Sequence, residues 1–193
     1  MNNEQQAPVR IQPPLSNALL QTLRVGDQVL LSGVIYTARD AAHQRLAQAL
    51  EIGQELPISL EGQIIYYVGP APARPGQVIG PAGPTTAGRV DLFTPLLLEN
   101  GLKGMIGKGK RSPAVRQALQ SYTAVYLVAV GGAAALIADC IKKSEVIAYP
   151  DLGTEAIYRL EVENFRLVVA NDVYGADLFE QGQAAYRREE MSQ

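Results

Sequence analysis

The seven residues GPTTAGR, Gly83 to Arg89, gather a turn-forming Gly-Pro, two adjacent hydroxyls, a flexible glycine and one arginine. A guanidinium fork matches a planar carboxylate with two parallel hydrogen bonds, and a glycine lets backbone approach a ligand closely. Thr85 and Thr86 are of the type that caps a following helix, Gly88 of the type that admits a ligand, and Arg89 of the type that grips one. A capped helix start carrying a solvated arginine would use the same residues.

Arg39 and His43 lie four residues apart on a predicted first helical turn, so their side chains rise on one side. His43 is the only histidine. Near a helix N-terminus the dipole disfavours imidazolium, which leaves a neutral base at ordinary pH. Equally, His43 continues the Leu46, Ala47, Leu50 stripe as a partly buried edge residue. In GKGKR, Gly107 to Arg111, two lysines among glycines make either an anion cradle, with Lys108 in it, or a solvated basic turn. The spacing G-x-x-x-x-G-K-S/T is missing, so this is not a P-loop. Gly131-Gly132 stands ahead of a helical pattern without the G-x-G-x-x-G fingerprint. Cys140, the only cysteine, reads as a buried structural thiol. One cysteine excludes an internal disulfide framework and cannot hold an iron–sulfur cluster.

The elements that must position these groups follow from composition and pattern. The chain has 193 residues, 47% hydrophobic and 19% charged, with a net charge of −2. That balance excludes a disordered chain and a nucleic-acid-binding polycation, and cysteine usage fits a reducing, cytoplasmic setting. No window reaches the ~20 uninterrupted apolar residues of a membrane span. Residues 1–14, polar and proline-rich, are expected to form a flexible or packing arm, and 15–193 a single domain.

VLLSGVIY (29–36) has strand composition, and DAAHQRLAQAL (40–50) is a helix with Asp40 as its candidate N-cap. QIIYYVG (63–69) is a second strand, followed by a Pro/Gly-rich loop, and VDLFTPLLLEN (90–100) is helical in spite of Pro95. KGMIGKGK gives a short strand, SPAVRQALQSY a helix with serine cap and proline at its first position, and AVYLVAV (124–130) a buried strand. AAALIADCIKK (133–143) is expected as helix, SEVIAYP as strand, TEAIYRLEV (154–162) as a short helix and RLVVAND (166–172) as a last strand before a polar helix. Strands alternating with helices predict an α/β fold around a mostly parallel central sheet layered with helices. In such sheets ligands gather where strand C-terminal ends meet helix N-termini.

TARDAAH, GPTTAGRVD, KGMIGKG, AVGGAAAL and VIAYPDLGTEAIYRLEVENF, taken together, resemble the β-subunit or C-terminal part of the class I iron–sulfur hydro-lyases. That family comprises oxygen-sensitive fumarases and L(+)-tartrate dehydratases. The resemblance runs from Leu15 to Phe179, with the motifs in the family's order. It implies a swivelling β/β/α domain closing over an active site shared with an α-subunit. It also implies a 4Fe–4S cluster held by three cysteines of that other part, with an open iron position for substrate. By motif, Arg39, Thr85, Arg89 and Lys108 match positions that contact the dicarboxylate, and His43 matches a histidine treated as catalytic.

Removing water from a 2-hydroxy dicarboxylic acid needs a Lewis acid for the leaving hydroxide, a base for the weakly acidic proton, and cations for the charge that builds on the carboxylate. Arg39, Arg89 and Lys108 are suited to the last task, and either Thr85 or His43 to the proton. The resemblance leaves fumarate and tartrate open as substrates, and isolated activity is not expected. A homodimer of the lone chain, reusing the partner's surface, is a further expectation. Rival readings are a non-catalytic binding or assembly module that keeps the fold, and a metal-free lyase working through His43 and Thr85.

Overall fold

The computed structural model describes residues 7–129 and 132–186. Seven strands form one sheet: β1 (Val9–Ile11), β2 (Gln28–Thr37), β3 (Ile64–Tyr66), β4 (Gly104–Gly107), β5 (Val125–Val128), β6 (Ile141–Ala148) and β7 (Ile157–Asn171). Six helices accompany them: α1 (Asn17–Leu20), α2 (Asp40–Glu51), α3 (Thr94–Glu99), α4 (Pro113–Ser121), α5 (Ala134–Cys140) and α6 (Leu178–Tyr186). The α/β class read from the alternating pattern holds.

The strand order is β1-β2-β3-β4-β5-β7-β6, and β2 also pairs with β7. Neighbours from β1 to β5 run parallel, whereas β7 lies antiparallel to β5, β2 and β6. The pairings β2-β3-β4-β5-β7-β2 therefore close a five-stranded barrel, where the sequence led us to expect a plain layered sheet. Closure needs one strand long enough to turn the corner, and fifteen-residue β7 spans β6, β2 and β5 in turn. β2 contributes a bulge between Leu31 and Gly33, and Gly33 takes φ 111°, a conformation a side chain would strain.

Alternation along the strands separates two cores. Ile64, Tyr66, Ile106, Leu127, Leu160 and Phe165 point into the barrel, where Tyr66 meets Phe165 edge to face at 5.4 Å. The residues between them, Ile65, Tyr67, Met105 and Tyr126, point outward and pack against Leu46 of α2, Leu97 of α3 and Leu119 of α4. One face of each parallel strand thus fills the barrel and the other carries the helices.

Three local expectations are corrected. TEAIYRLEV is not a helix. Pro150–Glu155 makes a 3-10 turn and the rest opens β7, whose Leu160 and Val162 are buried in the barrel while Glu163 and Asn164 face out. The helix expected to Lys143 stops at Cys140, and Ile141 begins β6 because residues 141–148 pair with β7. The segment expected as an arm contributes β1, parallel to β2, with Ile11 in the barrel core; residues 1–6 lie outside the described residues. No described helix is long and apolar enough to cross a membrane.

Candidate functional site

The C-terminal ends of parallel strands β2, β3 and β4 lie side by side, and each runs into a segment that carries one or more of the candidate residues. After β2, Arg39 is the N-cap of α2 and makes no side-chain capping bond. Asp40, expected as the cap, is instead the first helical residue, and Glu155 takes over the role: its Oε2 accepts from the Ala41 N–H at 3.0 Å. Glu155 Oε1 lies 3.5 Å from Arg39 Nη2. The Arg39 side chain crosses Gly69, three residues beyond β3, closely enough that a Cβ there would sit 2.4 Å from Nη1. Arg39 Nε is buried with no hydrogen-bond partner among the described residues.

Thr85 does not cap a helix. Its backbone N–H and its hydroxyl both donate to the carbonyl of Tyr67, at 2.8 and 2.9 Å. Thr86 is N-cap of a 3-10 turn, Ala87–Val90, again without a side-chain cap bond. Lys108, the first residue after β4, is locked to this segment: its N–H donates to Thr85 O at 3.1 Å and its carbonyl accepts from Ala87 N at 2.9 Å. Its side chain is exposed. Arg89, on the 3-10 turn, points back to the start of α2, with Nη2 3.4 Å from Asp40 Oδ2. Arg39, Thr85, Arg89 and Lys108 therefore stand on one continuous set of segments linked by direct contacts.

His43 lies beneath this surface, fully buried, not at an edge. Nδ1 is 2.8 Å from the Arg39 carbonyl, which can only accept, so Nδ1 carries the proton and Nε2 is bare. Nε2 has no partner among the described residues, and the ring meets Tyr67 edge to face at 5.2 Å. Burial lowers the pKa to about 4; the Arg39 carbonyl opposes that shift and the nearby Arg111 charge adds to it. His43 is neutral across the physiological range.

Arg111, read as part of either an anion cradle or a solvated turn, is 5% exposed. Its Nη1 donates to the Tyr67 hydroxyl at 3.0 Å, Nη2 to Thr94 Oγ1 at 2.7 Å, and Nε lies 2.9 Å from Asp91 Oδ1. The guanidinium also stands 5.0 Å from the Tyr126 ring centroid. Tyr67, Arg111, Asp91 and Glu155 escaped the sequence reading. The one available signal was Arg111 itself, a cation flanked by the Ser-Pro start of a helix that packs on the sheet.

Other features singled out lie elsewhere. Cys140 ends α5, half-buried, with Sγ 3.6 Å from Leu136 O. Gly131 is outside the described residues. No group of three or more His, Cys, Asp or Glu side chains among the described residues could hold a metal ion. A groove of about 540 Å³ between the Arg74–Pro81 loop and α5 is lined by none of the candidate residues.

A family model described as Fumarase C-terminus matches residues 1–182. Fumarate hydratase 1, mitochondrial, of Leishmania major is 41% identical over 177 residues, 90% of this chain and 32% of that protein. Fumarate hydratase class I, anaerobic, of Escherichia coli K12 is 40% identical over the same shares. A putative L(+)-tartrate dehydratase subunit beta of Methanocaldococcus jannaschii is 37% identical over 168 residues, 84% of this chain and 86% of that protein. The chain spans about a third of the length of the fumarate hydratases and most of the length of the β-subunit.

Proposed function

The chain belongs to the Fumarase C-terminus family, and on that premise we propose that it is the β-type part of a class I hydro-lyase. The enzyme would hydrate and dehydrate a four-carbon dicarboxylate, fumarate to malate in preference to tartrate to oxaloacetate. The chain acts as a swivelling β/β/α domain whose parallel-strand ends face a partner α-subunit. The observation that carries this reading is the linked placement of Arg39, Thr85, Arg89 and Lys108 on the ends of neighbouring strands.

We assign the iron–sulfur cluster expected of class I enzymes to the α-subunit, a reading supported by the lack of any group of three or more His, Cys, Asp or Glu side chains among the described residues that could hold a metal. What this chain supplies is charge, orientation and a proton. Arg39 and Arg89 clamp the carboxylates, with the substrate displacing Asp40 from Arg89. Lys108, whose exposed ammonium is free to move, follows the charge that grows on the carboxylate next to the reacting carbon. Thr85 handles the proton. In the hydration direction hydroxide from water adds to one carbon, the Thr85 hydroxyl turns from the Tyr67 carbonyl it donates to and gives its proton to the adjacent carbon, and the resulting alkoxide, stabilised by the neighbouring cations, takes up the proton that the water shed. Dehydration reverses the transfer. His43 has an orienting role: it holds the Arg39 backbone and the Tyr67 ring from below.

Co-expression with a cluster-bearing α-subunit under anaerobic conditions tests the reading. Fumarate absorbance should fall only with the assembled pair, and the purified chain alone should not turn over. A complex that forms and keeps its cluster without consuming fumarate or tartrate would instead favour a non-catalytic assembly module. In the active pair, pH–rate profiles of H43N and T85A assign the two roles. H43N should shift rate modestly and leave the profile's shape, while T85A should abolish most turnover.

A further inference from the structure

A charged side chain with almost no exposure is costly to bury unless it is paired and hydrogen-bonded. Arg111 is such a group. Through Nη1 it holds the hydroxyl of Tyr67, whose carbonyl suspends Thr85 by two hydrogen bonds. Through Nε and Nη2 it holds Asp91 and Thr94, which directly follow the 3-10 turn that carries Arg89. Thr94 is itself tied down, its hydroxyl donating to Val90 O at 2.9 Å. One planar fork therefore spans from the segment that hangs the hydroxyl to the segment that carries the carboxylate clamp. A lysine has no such planar fork and would engage at most part of this set.

We infer that Arg111 is a positioning residue: it fixes the separation between the Thr85 hydroxyl and the Arg89 guanidinium, and so places the substrate's reacting carbon against the proton donor. The inference rests on the proposed role of Thr85. Arg111 touches no substrate in this scheme; its effect passes through Tyr67 on one side and Asp91 and Thr94 on the other. Loosening it leaves Arg39, Arg89, Lys108 and Thr85 all present but in the wrong register. Binding then survives better than turnover.

The test uses R111K, Y67F and T94V in the assembled enzyme, with turnover expressed per isolated complex of the two subunits so that unfolded or unassembled chain does not count. Y67F and T94V each remove one anchor of the fork and keep its charge, so they answer the question even where R111K fails to fold. R111K should lower kcat by about 10–100-fold, and the two milder variants by about 3–10-fold, with KM for fumarate within roughly threefold of wild type. In parallel, amide hydrogen exchange of residues 85–90 in the full chain should speed up in Y67F and T94V while strand amides of β3 and β4 stay protected. Unchanged exchange in 85–90, whatever happens to kcat, would overturn the inference. Faster exchange with wild-type kcat would leave Arg111 as the tie and overturn the assignment of the proton to Thr85. A rise in KM at constant kcat would overturn the positioning role of Arg111, since that marks lost binding and not lost register.

Discussion

Arg39 passes over Gly69 with no room for a side chain between them: a Cβ at Gly69 would stand 2.4 Å from Nη1 and 3.0 Å from Cδ of the arginine. The absence of a side chain just beyond β3 is thus what lets an arginine from the end of β2 reach across the neighbouring segment.

G69A should push the Arg39 guanidinium aside while leaving the barrel intact. Loss of a charge-assisted carboxylate clamp, roughly 1.5–3 kcal/mol, lowers kcat/KM of the assembled enzyme about 10–100-fold, mostly through KM. Steady-state kinetics beside a thermal melt check this. Wild-type KM in a well-folded G69A enzyme would remove Arg39 from the substrate site.

His43 makes stability depend on pH in a defined window. Its folded pKa, about 4, lies below the ordinary value of 6.5, so between those values the unfolded chain binds a proton that the folded chain refuses. The contribution is complete above pH 6.5 and is lost as pH falls toward 4. Urea titrations at pH 7.5 and 4.5 should show H43Q losing about 2–3 kcal/mol less than wild type over that interval. Equal losses in the two proteins would mean that His43 is not buried neutral.

Asp40 and Arg89 form an ion pair whose side chains are 40% and 46% exposed, so it adds little to stability. D40N should change stability by less than about 1 kcal/mol and lower KM about two- to fivefold, because the carboxylate that competes with substrate for Arg89 is gone. A raised KM would instead make Asp40 an organiser of the clamp.

The parts of the fold written in local chemistry were legible. Ser112 followed by Pro113 does cap α4, with its hydroxyl accepting from Val115 N, and the continuous apolar run at 125–128 is a strand buried between barrel and helices. TEAIYRLEV misled because alanine, glutamate, leucine and arginine favour helix in isolation, whereas pairing with both β2 and β6 decides the matter in the folded chain. That pairing also closes the barrel, which no local pattern announces. At the candidate site, residue types suggested chemistry but not depth. Arg39, Thr85, Arg89 and Lys108 could be named as candidates beside plain structural readings of the same residues, and nothing in GKGKRS separates the exposed Lys108 from the buried Arg111. His43 was marked by being the sole histidine, but its position under the surface depends on Tyr67, a neighbour 24 residues away in sequence.

The most direct measurement is fumarate hydration by the anaerobically assembled enzyme carrying T85A. Removing the proton-transfer hydroxyl while leaving Arg39, Arg89 and Lys108 in place should lower kcat by about 10²–10⁴-fold with KM within roughly threefold of wild type. Turnover at the wild-type rate in T85A, with the cluster intact, would contradict it.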